Sequence, residues 1–112
     1  MSEAKPLILD DGEFEYRIKM CADPDPDDRT CLGTQTNPTH DGPGHIRVRA
    51  DQPRFRLLHT LMHEIGHCCE FKADKSIPDD VIDALARYYT NVLLKNPALT
   101  QMFLPPKKQA KR

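Results

Sequence analysis

Alternating apolar and polar positions in the first half of the chain predict short β-strands. Residues 7–9 are Leu-Ile-Leu, and residues 14–20 carry an apolar side chain at every second position, as half-buried strands do. The Asp-Asp-Gly turn signal between them predicts a hairpin. Residues 46–49 alternate apolar and basic side chains and predict an edge strand. Residues 23–44 are rich in Pro, Asp, Thr and Gly without periodicity, and they predict a long loop.

The second half of the chain predicts two amphipathic helices. The first follows Asp51 and Pro53, which offer a capping carboxylate and a first-turn proline. Its apolar positions recur at three- and four-residue steps and are expected to face the core: Phe55, Leu58, Leu61, Met62, Ile65 and Cys69. The histidines His59, His63 and His67 share the opposite side of this helix.

The second predicted helix opens with the Ser-Ile-Pro-Asp capping pattern at residues 76–79. It ends near Lys95, because Pro97 disfavours helix at the residue before it. Its expected apolar side comprises Val81, Ile82, Leu85, Ala86, Tyr89, Val92 and Leu93. Asp79 and Asp83 lie four residues apart at the edge of that side, where either carboxylate can turn toward the first helix.

Together these elements predict one α+β domain over residues 1–104. A small, mostly antiparallel N-terminal sheet is expected to pack on two core helices. The chain has 112 residues, enough for a single domain with a modest core. Residues 105–112 begin with two prolines and are rich in lysine and arginine, and they predict a disordered basic tail.

Charge and composition narrow the classes of partner. The net charge is -1, which gives no electrostatic reason to expect nucleic acid or an anionic membrane as a partner. No segment has the order of a signal peptide, and none approaches the ~20 apolar residues that span a bilayer. We therefore expect a cytoplasmic protein whose four cysteines are free thiols.

The segment His63-Glu64-Ile65-Gly66-His67 is an HExxH motif and carries the strongest chemical signal in the chain. Two histidines four residues apart on a helix stand one above the other, so both imidazoles can bind one Zn²⁺. Glu64 projects beside the metal, where it can take the proton from a zinc-bound water as a general base.

A catalytic zinc site normally has a third protein ligand. His59 is excluded, because it lies eight residues before His67, which is about 12 Å along a helix axis. The second helix offers Asp79 and Asp83. A carboxylate in the first turn is already favoured by the helix dipole, which gives Asp79 an ordinary reason to be there. We therefore expect Asp83 to be the third ligand and keep Asp79 as the alternative.

Several segments resemble a known family. Residues 57–67, residues 77–89 and the Asn-Pro pair at residues 96–97 look like the small phage-encoded metallopeptidases related to the ImmA/IrrE-like zincins. The wider group takes its third zinc ligand from an E-x-x-A-N pattern. The sequence Asp-Ala-Leu-Ala-Arg at residues 83–87 is similar, with Asp83 in place of the glutamate and Arg87 in place of the asparagine.

The resemblance implies a zincin-like minimal domain and a protein or peptide substrate, in the host cytoplasm if the chain is phage-encoded. It also implies that the strand at residues 46–49 pairs with an extended substrate. The expected function is therefore zinc-dependent hydrolysis of peptide bonds. Four side chains are candidate donors to the developing oxyanion: Tyr88, Tyr89, His45 and His59.

Two alternatives to an enzyme stay open. A zincin-like domain can serve as a regulatory binding module without catalysis. Alternatively, Cys21, Cys31, His63 and His67 can form a closed, structural Cys2His2 zinc site. This second alternative leaves Glu64 unused, and its cysteine-to-histidine separation is far longer than in zinc fingers.

Overall fold

A computed structural model describes residues 7–105 of the chain. Its elements in chain order are β1 (Leu7–Asp10), β2 (Glu15–Cys21), β3 (Gly33–Thr36), β4 (Gly44–Arg49), α1 (Arg54–Ala73), α2 (Asp79–Lys95) and α3 (Pro97–Gln101). The predicted α+β class is confirmed. Of the predicted basic tail, residues 106–112 lie outside the described residues.

The four strands form one sheet in the order β1-β2-β4-β3. β1 pairs with β2 and β3 pairs with β4 in antiparallel fashion, whereas β2 and β4 run parallel. The prediction of a mostly antiparallel sheet is therefore correct for two of the three pairings, and the sheet is mixed. The prediction that residues 46–49 form an edge strand is wrong. β4 is an inner strand, so its main-chain groups are already paired by β2 and β3.

The predicted hairpin between β1 and β2 is confirmed, and Asp11 builds its turn. Asp11 Oδ1 accepts hydrogen bonds from the backbone N–H groups of Glu13 at 3.0 Å and Phe14 at 2.8 Å. Gly12 has a φ of 93°, a conformation that glycine adopts without steric cost. The Lys72 side chain on α1 donates to the Asp11 carbonyl oxygen, which ties the turn to the helix.

The strand β3 lies inside the segment predicted to be a loop. Its sequence Gly-Thr-Gln-Thr has no apolar alternation, so only its pairing with β4 makes it a strand. Gly33 permits a close approach to α1, because a β-carbon at this position would lie 2.7 Å from Thr60 Cγ2. This approach brings the edge of the sheet against the helix that carries the HExxH motif.

The predicted apolar stripe of α1 is confirmed only in part, because Leu61 and Ile65 pack against the core but other members do not. The buried residues of this helix are Thr60, Glu64 and Cys68. Cys68 joins the core formed by Tyr16, Ile46 and Val48. Phe55 and Cys69, which were expected to face the core, are exposed. The stripe was assigned by apolar character alone, whereas the sheet meets a face that includes two polar side chains.

The helix α1 lies between the sheet and α2. Within residues 7–105, the only elements that α2 contacts are α1 and α3. Its buried side chains are Ile82, Ala86 and Thr90. The predicted apolar residues Val81, Leu85 and Tyr89 are exposed. Because α1 is the only large element of the described residues that packs on α2, only one narrow face of α2 is buried and its other apolar side chains stay exposed.

The helix starts also differ from the predicted caps. α1 begins after Pro53 and α2 begins after Pro78, and neither end has a capping hydrogen bond from a side chain. The proline φ angles of -57° and -54° already suit a helix entry. The predicted end of α2 at Lys95 is confirmed. Among residues 7–105, none of the helices combines the length and apolarity needed to cross a bilayer.

Candidate metal centre

The two histidines of the motif face α2 from adjacent turns of α1. The ring centroids of His63 and His67 are 5.1 Å apart, and the rings are inclined at 62°. Asp79, the first residue of α2, points its carboxylate between them. Its Oδ1 lies 3.3 Å from Nε2 of His63 and 3.3 Å from Nε2 of His67. One ligand atom from each of the three residues thus lies within 4.8 Å of the other two.

These distances suit a small tetrahedral cation. With zinc bonds of about 2.0–2.1 Å to nitrogen and oxygen, tetrahedral ligand atoms stand about 3.3–3.4 Å apart. The two 3.3 Å separations between Asp79 and the imidazoles match that spacing. Two imidazole nitrogens and one carboxylate oxygen are also a donor set of the catalytic zinc type, with a fourth position left for water or substrate. The group His63, His67 and Asp79 can therefore hold a metal ion.

Asp83, which was expected to be the third ligand, occupies a different place. Its Oδ1 lies 3.3 Å from Nδ1 of His63, on the side of the ring away from Asp79, and 2.9 Å from Nε2 of His59. Arg87 Nη2 donates to its other oxygen at 3.2 Å. Burial acts to raise the pKa of Asp83, but His59, His63 and Arg87 outweigh it, and the net shift is downward.

The second histidine has its own carboxylate partner, Glu70. Nδ1 of His67 lies 2.7 Å from Glu70 Oε1, and Glu70 Oε2 accepts the Ile77 N–H at 2.7 Å. These contacts lower the pKa of Glu70, with the Ile77 hydrogen bond as the largest cause. Glu70 thus joins α1 to the loop that delivers Asp79. Its position three residues after His67 is the sequence signal for this contact.

Asp83 and Glu70 give the two histidines the same orientation. When Nδ1 carries the proton and donates to a carboxylate, the lone pair of Nε2 is free for a metal. In both His63 and His67 it is Nδ1 that faces the carboxylate on the far side, while Nε2 faces Asp79. A metal ion on the Nε2 side would therefore leave Nδ1 of each histidine to donate to its carboxylate.

Glu64 lies on the side of α1 that faces the sheet. It is 8% exposed, and a β-carbon on Gly33 would lie 3.2 Å from its Oε2. Burial raises the pKa of Glu64, and the nearby His63 and His67 partly offset this rise. Glu64 and His63 both line a cavity of about 410 Å³, hereafter the Glu64 cavity. Its other lining residues are Thr30, Leu32, Gly33, Arg56, His59, Thr60, Asp83 and Arg87.

The remaining candidate residues are placed less centrally. His59 lines the Glu64 cavity, whereas Tyr88 and Tyr89 are 65% and 50% exposed on α2. His45 is on β4, in the sheet. Of the four candidate oxyanion donors, His59 is the one that lines this cavity, and its Nε2 faces Asp83.

Neither cysteine of the structural alternative reaches the metal group. Within residues 7–105, Cys21 and Cys31 belong to no cluster of three metal-binding side chains. The Cys31 thiol donates to the Gly33 carbonyl at 3.1 Å. Both are free cysteines, as expected.

Comparison of the chain with models of known families, with curated proteins and with solved structures finds no match.

Proposed function

We propose that this protein is a zinc-dependent metallopeptidase. One observation carries the proposal. The ligand atoms of His63, His67 and Asp79 lie within 4.8 Å of one another, and Glu64, the residue after His63, is buried beside a cavity. Two imidazoles and one carboxylate provide three ligands. The Glu64 carboxylate, which lines a cavity together with His63, is the proposed base. Catalytic zinc sites of hydrolases need both parts.

Zinc at this site would polarise the scissile carbonyl and make water more acidic. The protein supplies the remaining functions. Glu64 accepts a proton from the attacking water and later delivers it to the leaving amine, as a general base and then a general acid. Its burial removes competing solvent around the carboxylate. His59 lines the same cavity and contacts Asp83 through its Nε2.

The carboxylates behind the histidines act as positioning residues. Asp83 holds the ring of His63, and Glu70 holds the ring of His67. Such partners fix ring orientation and raise ligand basicity. Because Asp83 and Asp79 are both on α2, movement of that helix would shift the third ligand and the partner of His63 together. The metal group therefore depends on the contact between α1 and α2.

The decisive experiment measures zinc content and peptide cleavage together. The Glu64→Gln variant should bind as much zinc as the wild type but lose cleavage of peptides from a proteome digest, analysed by mass spectrometry. His63→Ala should lose both properties. His40→Ala is the matched control, because the His40 side chain is 96% exposed and lies outside the metal group.

Three outcomes would contradict the proposal. They are absence of stoichiometric zinc in the wild type, cleavage that survives Glu64→Gln, and absence of cleavage in the zinc-loaded wild type. The last outcome, with zinc bound, would favour the non-catalytic binding module.

A further inference from the structure

Two more cavities adjoin the Glu64 cavity along the same side of α1 and α2. The first, about 410 Å³, is here called the arginine cavity and is lined by Pro53, Phe55, Arg56, His59 and Arg87. It shares Arg56, His59 and Arg87 with the Glu64 cavity. The second, about 640 Å³, is here called the Tyr88 cavity; it shares Phe55 and Arg87 with the arginine cavity. Arg87 lines all three cavities, which together form a groove beside Glu64.

Two arginines stand where the first two cavities meet. Arg87 is anchored by its contact with Asp83 at 3.2 Å, yet its side chain is 67% exposed. Arg56 is exposed, and it forms no ion pair with any residue in the part of the chain that the structure describes. A planar guanidinium with free donors is well suited to binding a carboxylate.

The acidic groups of the groove leave this positive charge uncompensated. The Asp83 carboxylate already contacts His59, His63 and Arg87. Glu64 is buried at the inner end of the groove. Asp80 lines the Tyr88 cavity, which Arg56 does not line. The junction between the first two cavities therefore presents Arg56 as an unpaired cation.

We propose that Arg56 and Arg87 form a subsite for a carboxylate of the substrate, so that the enzyme prefers peptides with an acidic group near the cleaved bond. This inference rests on the proposed peptidase function and names its substrate class. Arg56 precedes His63 by seven residues, which is about 10 Å along the helix axis. An extended peptide covers that length in about three residues. The carboxylate is therefore expected within about three residues of the cleaved bond.

Either an acidic side chain or the carboxyl end of a short peptide can supply this group. Three pools of short peptides with otherwise random sequence separate the two sources. The peptides of the first pool carry one glutamate and an amidated C-terminus. The peptides of the second pool carry glutamine in place of that glutamate and an amidated C-terminus. The peptides of the third pool carry the same glutamine and a free C-terminal carboxylate. Retention on immobilised, zinc-loaded Glu64→Gln protein is measured by mass spectrometry.

The glutamate pool or the free-carboxyl pool should be retained roughly fivefold to tenfold better than the neutral pool, the range for one or two well-placed ion pairs. Arg56→Gln should remove most of this preference, and Arg87→Lys should keep more of it than Arg87→Gln does. Arg54→Gln is the matched control, because Arg54 is exposed at the start of α1 and lines none of the three cavities.

Equal retention of all pools, or an equal loss in Arg54→Gln, would overturn the subsite. The retention experiment tests the carboxylate preference, and the cleavage experiment tests the peptidase function, so failure of one is distinguishable from failure of the other. A carboxylate preference that depends on Arg56, without any cleavage by the wild-type protein, would leave the subsite standing and refute the peptidase.

Discussion

Gly66 of α1 lies directly against Ile82 of α2, and a β-carbon at position 66 would stand 2.7 Å from Ile82 Cγ2. A glycine inside a helix costs about 1 kcal/mol relative to alanine. Here the missing side chain lets the two helices approach closely, one residue before the ligand His67. The same contact sets the distance between the histidines on α1 and Asp79 on α2.

Gly66→Ala should therefore weaken zinc binding more than it weakens the fold. The gain in helix propensity offsets part of the overpacking, which typically costs about 1–3 kcal/mol. We expect a zinc dissociation constant at least about tenfold higher, as for a loss of ligand positioning. Competition with a chelator measures this constant. The double variant Gly66→Ala/Ile82→Leu removes the branched Cγ2 and should recover zinc affinity. Unchanged affinity in Gly66→Ala would show that the helix contact does not position Asp79.

Three aspartates at the start of α2 should differ sharply in their effect on zinc binding. Asp79→Ala removes a ligand atom and should abolish tight binding. Asp83→Asn removes the charge behind His63 and should weaken binding about 10–100-fold, the usual effect of losing such a partner. Asp80→Asn is the control, because Asp80 is outside the metal group. The affinities are measured by chelator competition. A larger loss in Asp83→Asn than in Asp79→Ala would assign the third ligand to Asp83.

The parts of the site that sequence predicts well are those fixed within one helix. His63, Glu64 and His67 lie within one turn of each other, so helix geometry alone determines how they are spaced. The choice between Asp79 and Asp83 depends on how α2 docks on α1, which no local pattern encodes. The sequence places both aspartates at the edge of the apolar side of α2, where either carboxylate can turn toward α1. Only the docked pair of helices places Asp79 between the Nε2 atoms and Asp83 behind His63.

The sheet illustrates the same limit. The hairpin of β1 and β2 is local, and its turn residues predicted it. The strand β3 has a polar sequence and exists through its antiparallel pairing with β4, the next strand in the chain. The inner position of β4 depends on that same pairing. Strand pairing, including the long-range parallel pairing of β4 with β2, therefore decided both features that the sequence pattern did not predict.

Removal of either cysteine of the structural alternative should leave zinc in place. Cys21→Ser and Cys31→Ser each change a side chain outside the metal group formed by His63, His67 and Asp79. We expect both variants to retain one equivalent of zinc per chain, measured by atomic emission after gel filtration. His67→Ala, which removes a ligand, is the comparison. Loss of zinc in either serine variant would support a structural Cys2His2 site instead.

The turn that Asp11 builds should make stability depend on pH in a defined direction. Two backbone N–H groups donate to the Asp11 carboxylate, and the one from Phe14 is the largest cause of its lowered pKa. Because the folded protein favours the charged form, this contribution is complete above the ordinary pKa of 3.8 and is lost as the pH falls through the lowered value.

Asp11→Ala should accordingly lower the free energy of unfolding by about 1–2 kcal/mol at pH 7, since two hydrogen bonds to the carboxylate are lost. Urea unfolding followed by circular dichroism measures the difference. Asp11→Asn is the matched control: its amide oxygen can still accept the N–H groups, but it cannot titrate. The stability of the wild type relative to Asp11→Asn should therefore decrease between pH 5 and about pH 2, over the range in which a carboxylate with a lowered pKa takes up its proton. A constant or increasing difference over that range would refute the role assigned to the charged form of Asp11.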